Sequence, residues 1–302
     1  MAHGLTGALI GYCGFRQRGG RAALWTAIAA AEFPDIDILV APLGSETYFR
    51  WHRSFTHSAL LLPFWAALVA GVIWLIAGRK NFRLLLAAAA AGLASHLLLD
   101  WITNYGTELL WPLSDARLAL SWVFILDPYV WAMLGVALWA VIRARQPAAA
   151  PVGLAIISAY LLMCGVAHWY ALHTASKPPG TQKLAAFAQP MNPFRWTILC
   201  EEADRIHWIN GKDNETFVKF HDDELLPKAE AAPAVRLFRW FAEFPLVDKL
   251  EEHGHTVLRY RDLRFRTQMP WGRVSEGMFV VAEVIFDDRG HLLAARLASN
   301  ER

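Results

Sequence analysis

The sequence predicts an α-helical polytopic membrane domain followed by a small β-rich domain of α+β type. Three observations carry this. The composition is split: residues 1–176 hold 8 of the 27 acidic and 11 of the 29 basic residues, although mean hydropathy over the whole chain is +0.27. The stretches 58–78, 84–103, 122–142 and 152–173 are each mostly apolar and close to the roughly 20 residues that a spanning helix needs. From residue 194 onward, short runs alternate apolar and polar positions between turn residues, the period-two pattern of strands.

Taken in order, residues 4–15 are apolar but short. Residues 22–41 are apolar but interrupted by Glu32, Pro34, Asp35 and Asp37. We expect a short or partly inserted helix over 4–15, a second over 22–33, and a re-entrant arrangement of the two, since broken helices at membrane depth survive only against protein or a cavity. The four apolar stretches are expected as spans. The Pro- and Gly-punctuated stretch 176–193 is expected as a linker between a membrane domain over 1–175 and a β-rich domain over 194–302. In that last part, RWTILCEEADRIHWING predicts two short strands and TVLRYRDLRFR another. GMFVVAEVIFDDRGHLLAARLA predicts a hairpin closed by Asp287–Gly290, and PAVRLFRWFAEF a helix opening at Pro233.

Charge and cysteine usage narrow the classes. A formal net charge of +2 without a basic stripe argues against a nucleic-acid partner. Three scattered cysteines supply no disulfide framework. The N-terminus lacks a basic region ahead of its apolar stretch, unlike a cleavable signal peptide. Three basic loops, Arg16/Arg18/Arg21, Arg79/Lys80/Arg83 and Arg143/Arg145, set the orientation by the positive-inside rule. With these inside, 43–57, 104–121 and everything after 174 lie on the outer side. Arg50 and Arg53 count mildly against that assignment.

Ionisable residues within apolar segments are costly and mark function. Those singled out here are His3, Glu32, Asp35, Asp37, His52, His57, His96, Asp100, Asp127, His168 and His173. They are almost all His and Asp, the side chains that hold divalent ions such as zinc or manganese. His96 and Asp100 are four apart and share a helix face. Pro34 breaks the helix ahead of Asp35 and Asp37, which frees both carboxylates to face a common centre. His52 and His57 stand at the mouth of a span, in HRSFTHS, where Ser54 or Thr56 could cap the following helix. On the proposed topology these groups converge on one membrane side. Glu32 is expected to be structural, Asp127 to start or kink a helix as readily as to act, and His168 and His173 to belong to an interfacial aromatic belt. His207, His221, His253, His255 and His291 are expected at the surface.

MAHGLTGALIG, FPDIDIL, HRSFTHS, HLLLDWITNYGTELLWPLS and SWVFILDP, in that order, closely resemble the YdjM-like family of membrane-bound metal-dependent hydrolases. The resemblance covers about 1–175, and the later NPFRW is similar to the start of an extension in longer members. It implies a multi-pass protein of the bacterial inner membrane with a metal-centred hydrolytic site. Matched motif by motif, it implies His3, Asp35, Asp37, His52, His57, His96 and Asp100 as metal or catalytic residues, with Asp127 in a looser DP element. Many members carry Thr-His near the start where this chain has Ala2-His3.

The expected chemistry is hydrolysis assisted by a divalent metal, zinc or alternatively manganese. Asp37 or Asp100 would act as general base, Arg53 would stabilise anionic charge, and Thr103 and Asn104 would orient ligands. An interfacial location suits a lipid-like ester or phosphoester. Two other functions fit the same residues: a proton- or ion-coupled transporter, and a membrane anchor that displays the C-terminal domain.

Overall fold

A computed structural model of the chain describes residues 2–222, 224–276 and 280–298. Two compact units result: one formed by residues up to Pro42 and by Trp51–Val166, the other by Leu43–Arg50 and Ala167 onward. The N-terminal half is helical and the C-terminal region is built of antiparallel sheets.

The first unit opens with α1 (Ala2–Ile10) and α2 (Arg16–Glu32), joined by a π-type turn over Gly11–Phe15 in which Gly14 takes a positive φ. Gly20 breaks α2 near its start. Pro34 then tightens the chain into an eleven-residue 3-10 stretch, Phe33–Leu43. HRSFTHS ends in a single 3-10 turn, Phe55–His57, and the chain bends by 82° before α4 (Leu62–Ile76). No side chain caps α4, whose N-cap residue is Leu61, so neither Ser54 nor Thr56 has that role. Ser58 accepts from the backbone N–H groups of Leu60 and Leu61, whereas Ser54 donates to Glu108 and Thr56 meets His57.

α5 (Phe82–Trp101) and α7 (Ala149–Thr174) are long and apolar enough to cross a membrane, and the bent pair Ser45–His57 with α4 counts as a third if taken as one span. α6 (Pro128–Ile142) is shorter than expected because 122–127 is not helical. Proline disfavours a helical residue before it, and Asp127, extended, caps α6 by accepting from Tyr129 and Val130 N–H at 2.8 and 3.0 Å. Its other oxygen accepts from the Tyr160 hydroxyl at 2.7 Å. Asp127 is thus a helix cap.

Close packing of α2 on α5 fixes the frame of the site. Ala23, Ala27, Ala30 and Ala31 are buried, and a Cβ added at Gly92 would stand 2.5 Å from the Ala27 carbonyl and 3.0 Å from Ala31 N. Only small residues permit this approach. Glu32 accepts from Gly4 N–H and ties α1 to α2, the structural role expected of it.

The second unit contains two four-stranded antiparallel sheets. The first runs β1 (Lys183–Gln189), β2 (Asn192–Glu201), β3 (Arg205–Asn210), β4 (Asp213–Val218) in order. α8 (Leu225–Glu230) and α9 (Pro233–Phe241) follow. The second sheet is formed by β5 (Pro245–Glu252), β6 (His255–Asp262), β9 (Val281–Phe286) and β10 (Leu292–Ala298), in the order β10-β9-β6-β5, while β7 (Thr267–Gln268) and β8 (Val274–Ser275) pair separately. Its core holds Phe187, Leu199, Ile206, Trp208, Phe244, Leu246 and Leu263. The expected linker 176–193 includes β1, so only its first part joins the domains.

α3 (Ser45–Trp51), placed by sequence in the membrane domain, gives most of its length to this second unit. Phe49 meets Phe241 edge-on at 4.7 Å, and the Arg50 guanidinium lies 4.5 Å over the Trp240 ring. The end of α7 belongs there too: His168 pairs with the Ala186 carbonyl and packs edge-on against Trp196. His168 is therefore a packing residue of the second unit, and no aromatic belt is needed to explain it.

Candidate metal centre

The C-terminal turn of α5 carries His96 and Asp100, both buried. His96 Nδ1 lies 2.7 Å from the Ala31 carbonyl of α2, which fixes Nδ1 as the protonated nitrogen and leaves Nε2 bare. His57 is fully buried, with Nδ1 3.0 Å from Thr56 Oγ1 and 3.6 Å from Asp37 Oδ2, so its Nε2 also faces inward. The two Nε2 atoms are 3.1 Å apart.

His57 Nε2, His96 Nε2 and Asp100 Oδ2 form one buried trio, and Asp35 Oδ1 approaches the same two imidazole nitrogens. Asp100 Oδ2 is 3.2 Å from His57 and 3.5 Å from His96, and Asp35 Oδ1 is 3.8 and 3.6 Å from the same nitrogens. Ligand atoms about 2.0–2.1 Å from a tetrahedral zinc would lie about 3.3 Å from one another. The donor set, two imidazoles and two carboxylates, suits zinc as well as the spacing does. Asp100 Oδ2 is buried and accepts no well-aligned hydrogen bond, although a buried carboxylate oxygen without a partner is costly. These residues fit a divalent ion.

His3 completes a second trio with Asp35 and His96. Its ring stacks on His96 at 3.8 Å and its Nε2 is 3.5 Å from Asp100 Oδ1. Both trios need His96, whose only free lone pair is at Nε2. They therefore describe one ion position with alternative ligands, and two ions could not both use that imidazole.

Asp37 and His52 are placed one step outward. On the 3-10 stretch two residues are about 240° apart, so Asp35 and Asp37 diverge instead of converging. Asp35 reaches the centre with its side chain 42 % exposed, whereas Asp37 is buried. Asp37 accepts from Arg53 N–H at 2.8 Å and pairs with His52 Nδ1 at 3.1 Å. Its Oδ2 also lies 3.6 Å from His57 Nδ1, whose hydrogen-bond partner is Thr56 Oγ1. Arg53 sits between the two layers. Its guanidinium reaches Asp100 Oδ1 at 3.0 Å and donates to Thr103 Oγ1 at 3.3 Å, and its backbone takes a left-handed φ of 59°. Such strain in a residue without glycine's freedom persists only where surroundings enforce it.

The enforcing residues were not singled out by sequence. Glu108 is fully buried; it accepts from Ser54 Oγ, and its N–H donates to the Arg53 carbonyl at 3.0 Å. Arg117 donates to the carbonyls of His52 and Gly106 and lies 3.7 Å from Glu108. Both Arg53 and Arg117 lie over the Tyr105 ring, at 4.7 and 5.1 Å. The available signal was a lone acid and a lone base, nine residues apart, in an otherwise uncharged apolar region bar Asp115. In the second unit, His207 pairs with Glu202 at 2.7 Å on a sheet surface, and His291 with Asp287 at 2.9 Å in the hairpin turn; neither contributes to a His/Asp cluster of this kind.

Comparison with known proteins identifies the family of the helical part. The family model described as YdjM inner membrane protein matches residues 1–171. An uncharacterized protein, YfhP of Bacillus subtilis (strain 168), is 25% identical over 146 residues, 48% of this chain and 42% of that protein. The chain thus aligns with less than half of that relative's length. No solved structure matches.

Proposed function

The chain belongs to the YdjM inner membrane protein family, and from that premise and the geometry of its His/Asp cluster we propose that it is a membrane-bound metal-dependent hydrolase. The observation that carries this reading is the buried trio of His57 Nε2, His96 Nε2 and Asp100 Oδ2, 3.1, 3.2 and 3.5 Å apart, with Asp35 Oδ1 3.8 and 3.6 Å from the two imidazole nitrogens. His57, His96 and Asp100 would hold zinc, or manganese in its place, with His3 and Asp35 beside them and a position left open for water. Such an ion lowers the pKa of water to about 7 and polarises an ester or phosphoryl oxygen.

The chain's own residues divide the remaining work. Asp100 and Asp37 have their oxygens committed, to Arg53 and the ligand cluster in one case and to His52 and Arg53 N–H in the other. Asp35 is the cluster carboxylate with an exposed face, and we assign proton acceptance to it. Arg53 screens Asp100 and offers positive charge to an anionic substrate. Thr103 fixes the guanidinium, and Thr56 fixes the His57 ring. The substrate class that suits an interfacial site is a lipid-like ester or phosphoester.

The outer-side location of this centre is part of the proposal. Arg16 and Arg145 line one groove, and Gly19 packs against Leu84 at the start of α5, so the three basic loops gather at one end of the first unit. Asp100 lies 16 residues further along α5, about 24 Å at helical rise. By the positive-inside rule the basic end is cytoplasmic. Fusions of alkaline phosphatase and of a fluorescent protein to the C-terminus should be active and dark, respectively.

The decisive experiment is metal analysis of the detergent-purified full chain. About one zinc or manganese per chain is expected, lost in the His57→Ala, Asp100→Ala double variant. Absence of bound metal under metal-replete conditions refutes the hydrolase reading. Substrate flux into liposomes without hydrolysis would favour a carrier instead.

A further inference from the structure

Beside the cluster the first unit contains a second feature, a cavity of about 80 Å³ that no ligand role yet explains. One end is polar: His3, Arg53, Asp100 and Thr103 line it. The rest is mostly apolar, walled by Leu99 and Ile102 of the α5 end, Val123, Val130 and Trp131, and Leu161 of α7; Asp127 also lines it, with its oxygens already taken by the α6 N–H groups and the Tyr160 hydroxyl. Val123, Val130 and Leu161 are buried, so they are not part of the outer surface of the bundle. Ile125 also lines the cavity yet is 42 % exposed, and its neighbour Leu126 is 65 % exposed. The cavity therefore runs from the ligand atoms to an apolar opening at the non-helical 123–127 segment.

Two polar facts identify what enters. Arg53 presents a guanidinium at the inner end, a group whose planar donors match phosphate oxygens. His3 is mostly buried and its Nδ1 has no partner, which leaves a polar atom at the same end without a hydrogen bond. A neutral chain end would leave it so, and an oxyanion would satisfy it. We propose that the substrate is a phosphate ester with a single apolar chain, the phosphate held between Arg53 and His3 and the first carbons of the chain seated along Leu99, Val130 and Leu161. The remaining chain leaves past Ile125. This rests on the hydrolase reading above. In the reaction, the oxygen of water joins phosphorus, the P–O bond to the chain-bearing alcohol breaks, and the proton released from water passes to that alcohol. The products are the alcohol and a phosphate.

The test uses the full chain in detergent and dodecyl phosphate carrying a diazirine in its tail. Photolysis followed by mass spectrometry should place adducts on the buried Val123, Val130 and Leu161. Unlabelled dodecyl phosphate should compete at least tenfold better than dodecanol. Leu161→Trp, or Val123→Trp if the first does not fold, should remove these adducts while bound zinc is retained. Adducts confined to exposed Ile125, Leu126 and other outward residues overturn the proposal, as does equal competition by dodecanol. The two readings fail separately. Hydrolysis of p-nitrophenyl phosphate without buried adducts sinks this inference and leaves the hydrolase. Buried adducts without phosphate release from the zinc-loaded protein sink the hydrolase and leave the chain seat.

Discussion

Gly92→Ala should weaken metal binding although residue 92 touches no ligand atom. The new Cβ would lie 2.5 Å from the Ala27 carbonyl and 3.0 Å from Ala31 N, both backbone atoms that cannot rotate away. Restoring an ordinary contact of about 3.4 Å requires α5 to move outward by about 0.9 Å, an overpacking that costs about 1–3 kcal/mol. His96 is one turn further on the same face. Its Nδ1 hydrogen bond to the Ala31 carbonyl is now 2.7 Å. Carried along by that shift it would lengthen to roughly 3.6 Å, beyond hydrogen-bonding range. Loss of such a supporting bond lowers metal affinity about 10- to 100-fold. Zinc affinity measured by chelator competition on the purified full chain reads this directly. Gly71→Ala and Gly135→Ala are the controls, because a Cβ at either meets open space. They should leave zinc affinity unchanged and gain up to about 1 kcal/mol of helix propensity. Wild-type affinity in Gly92→Ala, or an equal loss in the controls, would refute the argument that α2–α5 spacing sets the ligand geometry.

Asp127→Ala should lower thermal stability by about 1–3 kcal/mol while zinc content stays at the wild-type level, because it removes a helix cap and strands the Tyr160 hydroxyl; loss of zinc would mean the residue is a ligand after all. In the second unit, burial alone would raise the pKa of Glu283, but hydrogen bonds from Arg296 and Arg259 outweigh it and hold the carboxyl below its ordinary value of 4.5. A depressed folded-state pKa gives stability that is present above 4.5 and lost as pH falls through the folded value. Glu283→Gln should therefore destabilise the full chain by a few tenths of a kcal/mol at pH 7, given the exposure of the pair, and the difference should shrink as pH falls below the ordinary value of 4.5; a difference that grows in acid would contradict the sign.

The helical-then-β division was legible because each period writes itself locally: apolar runs for α5 and α7, alternation for β6 and β9, and Pro233 at the start of α9. What misled was chain reversal. The stretch 122–142 reads as one span, yet the non-helical residues before Pro128 cut it short and α6 starts at that proline. Leu43–Arg50 reads as an inter-span loop, yet Phe49 and Arg50 find aromatic partners two hundred residues later, a pairing that no local pattern encodes. At the site, His57, His96 and Asp100 were legible as ionisable groups among apolar neighbours. The division between Asp35 and Asp37 was not, because it depends on a 3-10 turn angle. Glu108 and Arg117 escaped because a buried acid and base that neutralise each other resemble ordinary polar residues in a loop.

Charge accounting bears on how many divalent ions the proposed site would hold. Asp35, Asp37 and Asp100 bring three negative charges to the cluster, and Arg53 is the cation in contact with it. Glu108 and Arg117 balance each other just outside. Histidines that ligate a metal do so neutral, so with a metal bound the side chains of the cluster would carry about two net negative charges, mostly buried. Unbalanced buried charge is among the costliest arrangements a protein can hold. One divalent cation cancels it. A second would leave an excess of two positive charges and would also need an imidazole lone pair that His96 does not have. For the proposed metal centre, geometry and charge thus favour one ion: the first counts lone pairs on one histidine, the second counts carboxylates against one arginine.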